Sequence, residues 1–215
     1  DVIVFLNNDT IPVNGWLDRL VAHLSSDDIG LLGAVTNRAG NEAEIPVRYR
    51  AYGELEPFAR EYARTHRAEI FDIRTATMFC AALRRNVWQQ VGPLDERFEI
   101  GLFEDDDFSM RVRRAGFRVA CAEDVFVHHF GQASIGRLAA TGEYGGLFHR
   151  NRARWEEKWA TRWEGYAKRT SPEYELVVER VRHFVCDNTP PGATVLVVSR
   201  GDEQLLQFDG RRGWH

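Results

Sequence analysis

Three polar clusters in this chain have residue types and spacings suited to chemistry on a charged substrate. The first is Asn7-Asn8-Asp9, followed by Thr10 and placed directly after the apolar run Val2-Ile3-Val4-Phe5-Leu6. Two amides and a carboxylate in a tight turn offer the hard oxygen ligands that Mg²⁺ or Mn²⁺ accepts together with phosphate oxygens. One carboxylate alone binds metal weakly, and the same residues also suit plain turn chemistry and a helix cap. The second cluster is Phe103-Glu104-Asp105-Asp106-Asp107-Phe108, ahead of Arg111, Arg113 and Arg114. Acids at a helix N-terminus complement the dipole, and Asp107 and Arg111 stand at i, i+4 spacing, so a well-capped helix also accounts for the run. Glu104 and Asp105 lie between two phenylalanines, where partial burial is expensive without a functional partner. A carboxylate there can serve as general base toward a hydroxyl. The third is His128-His129, followed by Gly131 and Ser134. Strand alternation sends the two rings to opposite faces, so at most one faces a site, and a strand-end histidine equally suits a surface hydrogen bond.

The elements around these clusters must position them. Residues 2–6 read as a strand covered on both faces of a mostly parallel sheet, and ligands of open α/β sheets bind beyond the carboxyl ends of such strands. Trp16, Leu17, Leu20, Val21 and Leu24 mark a helix with Asn14 as its cap. Residues 29–35 form a second strand, 36–46 an exposed loop and 55–67 a charged surface helix. A strand follows over 75–83, then a short helix over 85–91 ended by Gly92-Pro93, then a helix burying Phe108, Val112 and Ala115 and closing at Gly116. Residues 117–121 and 125–128 read as two short strands, and 143–163 and 173–185 as helices. The turn-rich stretch 187–192 precedes a new strand at 194–198. The expected division is therefore residues 1–168, a helix and linker over 169–192, and the start of a second α/β domain over 193–215.

Composition narrows the function classes. The 215 residues include 28 basic and 32 acidic side chains, a net charge of -4, which gives no basic excess for general nucleic-acid binding. Cys80, Cys121 and Cys186 are odd in number and widely spaced, against a disulfide framework or a zinc site. No apolar run approaches the roughly 20 residues that span a bilayer. A reducing, cytoplasmic setting is the expectation, with peripheral association at the inner face of the membrane allowed for the full protein. The chain begins without Met on an apolar strand and closes soon after a new strand opens, so it reads as an excerpt.

In order and context, the three clusters resemble the family 2 glycosyltransferases, inverting enzymes of the GT-A fold that include rhamnosyltransferase-like members, over about residues 1 to 165. Residues 2–10 resemble that family's strand plus D-x-D metal motif, with Asn7 replacing the first acid. The resemblance implies Asp9 and Asn7 at the metal, Mn²⁺ or Mg²⁺, and Asn8 and Asp9 at the donor diphosphate. Residues 77–88 and 91–98 are similar to the acceptor-side strand and the G-x-x-D-E-x-F turn, which implies Thr77 and Asp95 on the acceptor side. Thr77 falls where family members often have glycine. Residues 103–116 resemble the E-D-x-D helix start, which implies Asp105 as catalytic base, Glu104 orienting acceptor or base, and Asp107 anchoring the acceptor-side loop through Arg111. Residues 125–134 resemble V-x-x-H-x-x-G-x-S, with His128 rather than His129 completing the metal site, and residues 151–159 are similar to the closing helix.

The fold so implied is a partial GT-A α/β fold, a mixed and mostly parallel sheet flanked by helices and lacking the N-terminal nucleotide-binding strands, so that the excerpt alone is expected to be inactive. The implied activity is inverting transfer of a sugar from a nucleotide-diphosphate donor to a carbohydrate or lipid-linked acceptor, in cell-surface polysaccharide or glycoconjugate assembly, without nucleic acid as a partner. A phosphoryl transferase would need a Gly-rich loop with Lys, which the sequence lacks. The remaining alternative is a non-catalytic glycan-binding or scaffolding module that retains the fold, for which Asn7 is the argument.

Overall fold

A computed structural model describes residues 1–99, 101–131, 141–166, 172–198 and 203–214. Ser134, part of the third cluster, lies outside them. Tertiary contacts divide the chain into two units, Asp1–Arg169 and Thr170–His215. The first contains strands β1 (Val2–Leu6), β2 (Thr10–Pro12), β3 (Ile29–Val35), β4 (Ile70–Asp72), β5 (Cys80–Arg84) and β6 (Arg118–His129). Its helices are α1 (Trp16–His23), α2 (Tyr52–Thr65), α3 (Arg85–Val91), α4 (Glu104–Arg114) and α5 (Glu143–Trp159).

The strand order is β1-β5-β3-β6-β2, with β4 also on β6. The fold is mixed α/β, as expected. The principal strands β1, β3 and β6 share a direction, and β5 runs opposite between β1 and β3, so its pairings with both are antiparallel while β3 and β6 pair in parallel. The short strands β2 and β4 join β6 antiparallel. The parallel character thus lies in the direction of the long strands rather than in most neighbouring pairs.

Alternating side chains divide into two apolar layers. Leu31, Val35, Ala81 and Leu83 pack with Leu55 and Ala59 of α2, Val87 of α3, and Phe108 and Val112 of α4. Ile29, Leu32, Cys80 and Ala82 pack on the other side with Leu20 and Leu24 at α1. The first layer fixes α4, whose N-terminus carries the four acids. Gly30 permits this packing, since a Cβ there would lie 2.4 Å from Phe117 Cβ and 2.7 Å from Val112 Cγ1.

Several local expectations are corrected. The two short strands expected over 117–121 and 125–128 are one strand, β6, because the acids between them are accommodated inside it: Tyr62 donates its hydroxyl to Glu123, and Asp124 Oδ1 lies 2.6 Å from His23 Nε2 while Oδ2 accepts the Ala68 amide at 2.9 Å. The strand expected over 75–83 is confined to Cys80–Arg84. Residues 36–46 are not an exposed loop. Thr36, Asn41, Ala43 and Ile45 are buried, with the Asn41 amide donating to the Thr75 carbonyl at 2.9 Å. Helix α2 starts at Tyr52 because Glu54 accepts the Arg50 and Ala51 amides. Gly15, in the left-handed region at φ 71°, caps α1 instead of Asn14, whose amide donates to Glu56.

The second unit comprises helix α6 (Pro172–Asn188), a parallel pair β7 (Thr194–Leu196) and β8 (Arg212–Trp214), and a 3₁₀ turn, Glu203–Leu206. Arg211 ties it together by donating to the carbonyls of Cys186, Thr189 and Asp209, and Val178 and Phe208 are buried. No described helix is long and apolar enough to cross a membrane.

Candidate active site

A cleft of about 410 Å³ opens beyond the carboxyl ends of β1 and β6. Asn7, Thr77, Phe79, Glu104, Asp105 and His129 line it, with an aromatic wall of Tyr144, Phe148, Trp163 and Tyr166. The sheet assembles it directly: the Asn7 amide donates to the Phe79 carbonyl at 2.9 Å, and Thr10 Oγ1 closes the turn on the Asn7 carbonyl at 2.7 Å.

At the Asn7 end, β2 pairs with β6 so that Thr10 stands opposite His129 and Ile11 opposite His128. This register brings His129 Nε2 to 3.4 Å from Asp9 Oδ1. The His129 ring stacks on Phe79, centroids 5.0 Å apart, and its Nδ1 lies 2.9 Å from the Arg38 carbonyl. A carbonyl can only accept, so Nδ1 carries the proton and a neutral ring presents a bare Nε2 to the carboxylate. Two facing lone pairs require a cation or a proton between them. An imidazole oriented by a backbone carbonyl is the arrangement that metal-ligating histidines use, so Asp9 and His129 fit a divalent ion as a partial ligand set. Among the described residues no group of three or more His, Cys, Asp or Glu side chains is disposed to hold a metal. The remaining ligands of such an ion would come from substrate oxygens or water.

The expectation for His128 is corrected. Its ring turns to the opposite face, where Nδ1 lies 2.5 Å from the Tyr49 hydroxyl and the ring packs on Tyr49 and Phe130. Burial, together with the neighbouring His129, lowers its pKa. Asn8 is exposed and does not line the cleft.

At the opposite end, α4 presents its acids in two directions. Glu104 and Asp105 face the cleft. Burial, then the charges of Asp106 and Glu104, raise the Asp105 pKa well above the carboxylate range, although Oδ1 accepts the Asp106 amide at 2.9 Å. Burial likewise raises Glu104, helped by Asp106. Glu104 Oε2 and Thr77 Oγ1 are both buried without a hydrogen-bond partner. Buried polar atoms are nearly always paired, so two orphans in one cleft mark a place for ligand hydroxyls.

Asp106 and Asp107 point away and hold the frame. Asp106 accepts from Thr75 Oγ1 at 3.2 Å, Trp163 Nε1 at 3.0 Å and the Tyr166 hydroxyl. Asp107 accepts from Arg111 Nε at 2.9 Å and Trp159 Nε1 at 3.1 Å, and pairs with Lys158 Nζ at 2.6 Å. Lys158 also reaches Asp95 at 2.7 Å. Burial would raise Asp95, but Lys158 and Arg97 hold it down at about 2. Asp95 and Asp107 do not line the cleft, whereas Thr77 does; Asp107 meets Arg111, which in turn donates to the Val91 carbonyl at 2.9 Å.

The residues entering α4 are strained. Leu102 and Phe103 have φ of 68° and 79°, a region that costs non-glycine residues energy and persists only where neighbours over-determine it. Asn151, fully buried on α5, does so by donating to the carbonyls of Phe98, Gly101 and Leu102 at 2.8, 2.8 and 3.1 Å. The aromatic wall was not anticipated. Trp163 reads as the end of a helix over 143–163, but that helix stops at Trp159, and the sequence signal for the wall is the density of aromatic residues beyond it.

Comparison with known proteins agrees with this geometry. A family model described as glycosyltransferase-like family 2 matches residues 1–157. The chain is 28% identical over 141 residues to an O-antigen biosynthesis protein, RfbC, of Myxococcus xanthus, a match covering 60% of this chain and 11% of that protein. It is 30% identical over 131 residues to a pre-mycofactocin glycosyltransferase of Mycobacterium tuberculosis, covering 60% and 27% respectively. It thus spans only a small part of the length of these relatives. With the match over residues 1–157, the chain belongs to glycosyltransferase family 2.

Proposed function

We propose that the protein carrying this chain transfers a sugar from a nucleoside-diphosphate donor to a hydroxyl of a carbohydrate or lipid-linked acceptor, with inversion at the anomeric carbon. The observation that carries this reading is one cleft with a half-buried, high-pKa carboxylate, Asp105, at one end and Asn7 and His129 at the other, with Asp9 behind them facing His129 Nε2. A carboxylate made more basic by burial is a stronger proton acceptor than one in water. Asp105 takes the proton of the acceptor hydroxyl. The hydroxyl oxygen bonds to the anomeric carbon from the face opposite the diphosphate, and the bond to the phosphate oxygen breaks, releasing nucleoside diphosphate. Thr77 Oγ1 and Glu104 Oε2, orphaned without ligand, hold neighbouring hydroxyls of the acceptor. Asn7 faces the donor diphosphate. Asp9 and His129 would hold Mn²⁺ or Mg²⁺, which supplies charge neutralisation for the departing phosphate.

The name of the Myxococcus xanthus relative, an O-antigen biosynthesis protein, supports a role in cell-surface polysaccharide or glycoconjugate assembly. The test is a screen of the full-length protein against nucleoside-diphosphate sugars, with Mn²⁺ or with EDTA, following nucleotide release and assigning the product anomer by NMR. An inverted product is expected; a retained configuration overturns the proposal.

A further inference from the structure

Trp163 separates the cleft from a second cavity of about 240 Å³ that is also lined by Arg74 and Arg113. The same two arginines line an adjoining hollow of about 550 Å³. Among the described residues neither guanidinium is ion-paired. Arg113 donates to the Arg74 carbonyl, and Arg74 donates to the carbonyls of Glu164 and Gly165 at 2.6 and 3.1 Å. Arg74 also lies over the rings of Trp163 and Tyr166, 5.9 and 5.4 Å from their centroids.

Among the described residues no carboxylate forms an ion pair with either arginine, although the Asp106 charge acts on Arg113. Asp72 is paired with Arg118 at 2.7 Å, and both oxygens of Asp106 are taken by neutral donors. Glu164 is exposed and meets Arg74 through its backbone carbonyl. Burial and the neighbouring Arg74 charge hold Arg113 below its ordinary range, against the pull of Asp106. Partly buried charges are normally paired, and two adjacent cations with unused donors are costly without an anion. A planar guanidinium fork matches phosphate oxygens in both charge and geometry.

We propose that Arg74 and Arg113 form an anion site, separate from the cleft, that takes a phosphate group. Because Arg74 also holds the backbone at Glu164 and Gly165, between the two wall residues Trp163 and Tyr166, filling the site steadies that wall of the cleft. Two sources share this chemistry, a free phosphate and the phosphate of a glycosyl phosphate whose sugar reaches the cleft past Trp163. The proposal stands independently of the sugar-transfer reading.

The test is calorimetric titration of the full-length protein, in EDTA, with inorganic phosphate and separately with a hexose 1-phosphate. Wild type is expected to bind phosphate saturably, R113Q and R74Q to bind about 10-fold or more weakly, as the loss of a hydrogen bond to a charged group implies, and D9N to bind as wild type. Tighter binding of the hexose phosphate, lost in W163A, assigns the site to a phosphoester; equal binding assigns it to the free anion. R113K, which keeps the charge but loses the fork, is expected to fall between and covers the case of a poorly folded R113Q. Absence of saturable binding to wild type, or equal binding by wild type, R74Q and R113Q, overturns the proposal.

Discussion

His129 Nε2 faces Asp9 Oδ1 across 3.4 Å, while its neighbour His128 is turned to Tyr49 on the other face of the strand. Two adjacent histidines therefore have separable consequences. H129A is expected to abolish the effect of Mn²⁺ on transfer and to reduce kcat about 10- to 100-fold, the usual cost of weakening a metal site. H128A is expected to leave metal dependence intact and to lower stability by about 1 kcal/mol through the lost Tyr49 contact. Metal titrations and denaturant unfolding of the two variants separate the effects; equal loss of metal response in both would argue against the assignment.

Lys158 bridges Asp95 and the fully buried Asp107, both of them away from the cleft. K158M strands a buried carboxylate that keeps only Arg111 and Trp159 as partners. A loss of about 2 kcal/mol in denaturant unfolding is expected, with acceptor KM little changed. A large KM effect without a stability loss would place Lys158 or its partners at the substrate.

Asn151 fastens the left-handed backbone at Leu102 and Phe103, which aims Glu104 and Asp105. N151A leaves the carbonyls of Phe98, Gly101 and Leu102 without that donor and is expected to cost about 1–3 kcal/mol. The strained turn should relax, lowering kcat more than donor affinity. A stable variant with unchanged kcat would contradict this role.

Asp105 and Glu104 both have folded pKa values above their unfolded ones. The native state therefore binds more protons, and these groups cost stability as pH rises from the ordinary carboxylate range toward the raised values. D105N removes one such group. It is expected to raise the melting temperature relative to wild type at pH 7–8 and to bring little gain at pH 3–4, where Asp105 of the folded wild type is protonated and as neutral as the amide. For the same reason the acid limb of the wild-type activity profile should lie above that of an ordinary carboxylate. A D105N variant that is less stable at neutral pH would contradict the assigned direction.

Much of this arrangement is legible in the residues alone. The run Val2–Leu6 ending on Asn7, the helix Arg85–Val91 and the apolar spacing of Phe108 and Val112 each carry their own period and punctuation, and the structure has these elements in place, although β1 is a half-buried edge strand paired antiparallel with β5 and not one covered on both faces. The errors share a cause: they depend on partners distant in sequence. Glu123 and Asp124 interrupt the apolar pattern of β6 because Tyr62 and His23, which meet them, lie 61 and 101 residues away. The choice between His128 and His129 is made by the register of a three-residue strand, β2, too short to show periodicity. The division of the four acids into two cleft-facing and two framing groups is set by Lys158, Trp159, Trp163 and Tyr166. No local pattern announces those contacts.

The central claim is that Asp105 is the base, in one cleft with the Asp9–His129 pair. The most direct measurement is turnover of the full-length protein against its isosteric variant D105N, with the donor identified by the screen and with donor affinity measured in parallel. In D105N, kcat is expected to fall about 10²- to 10⁴-fold, the usual contribution of a positioned base, while donor affinity stays within about twofold. Transfer by D105N at the wild-type rate would contradict it.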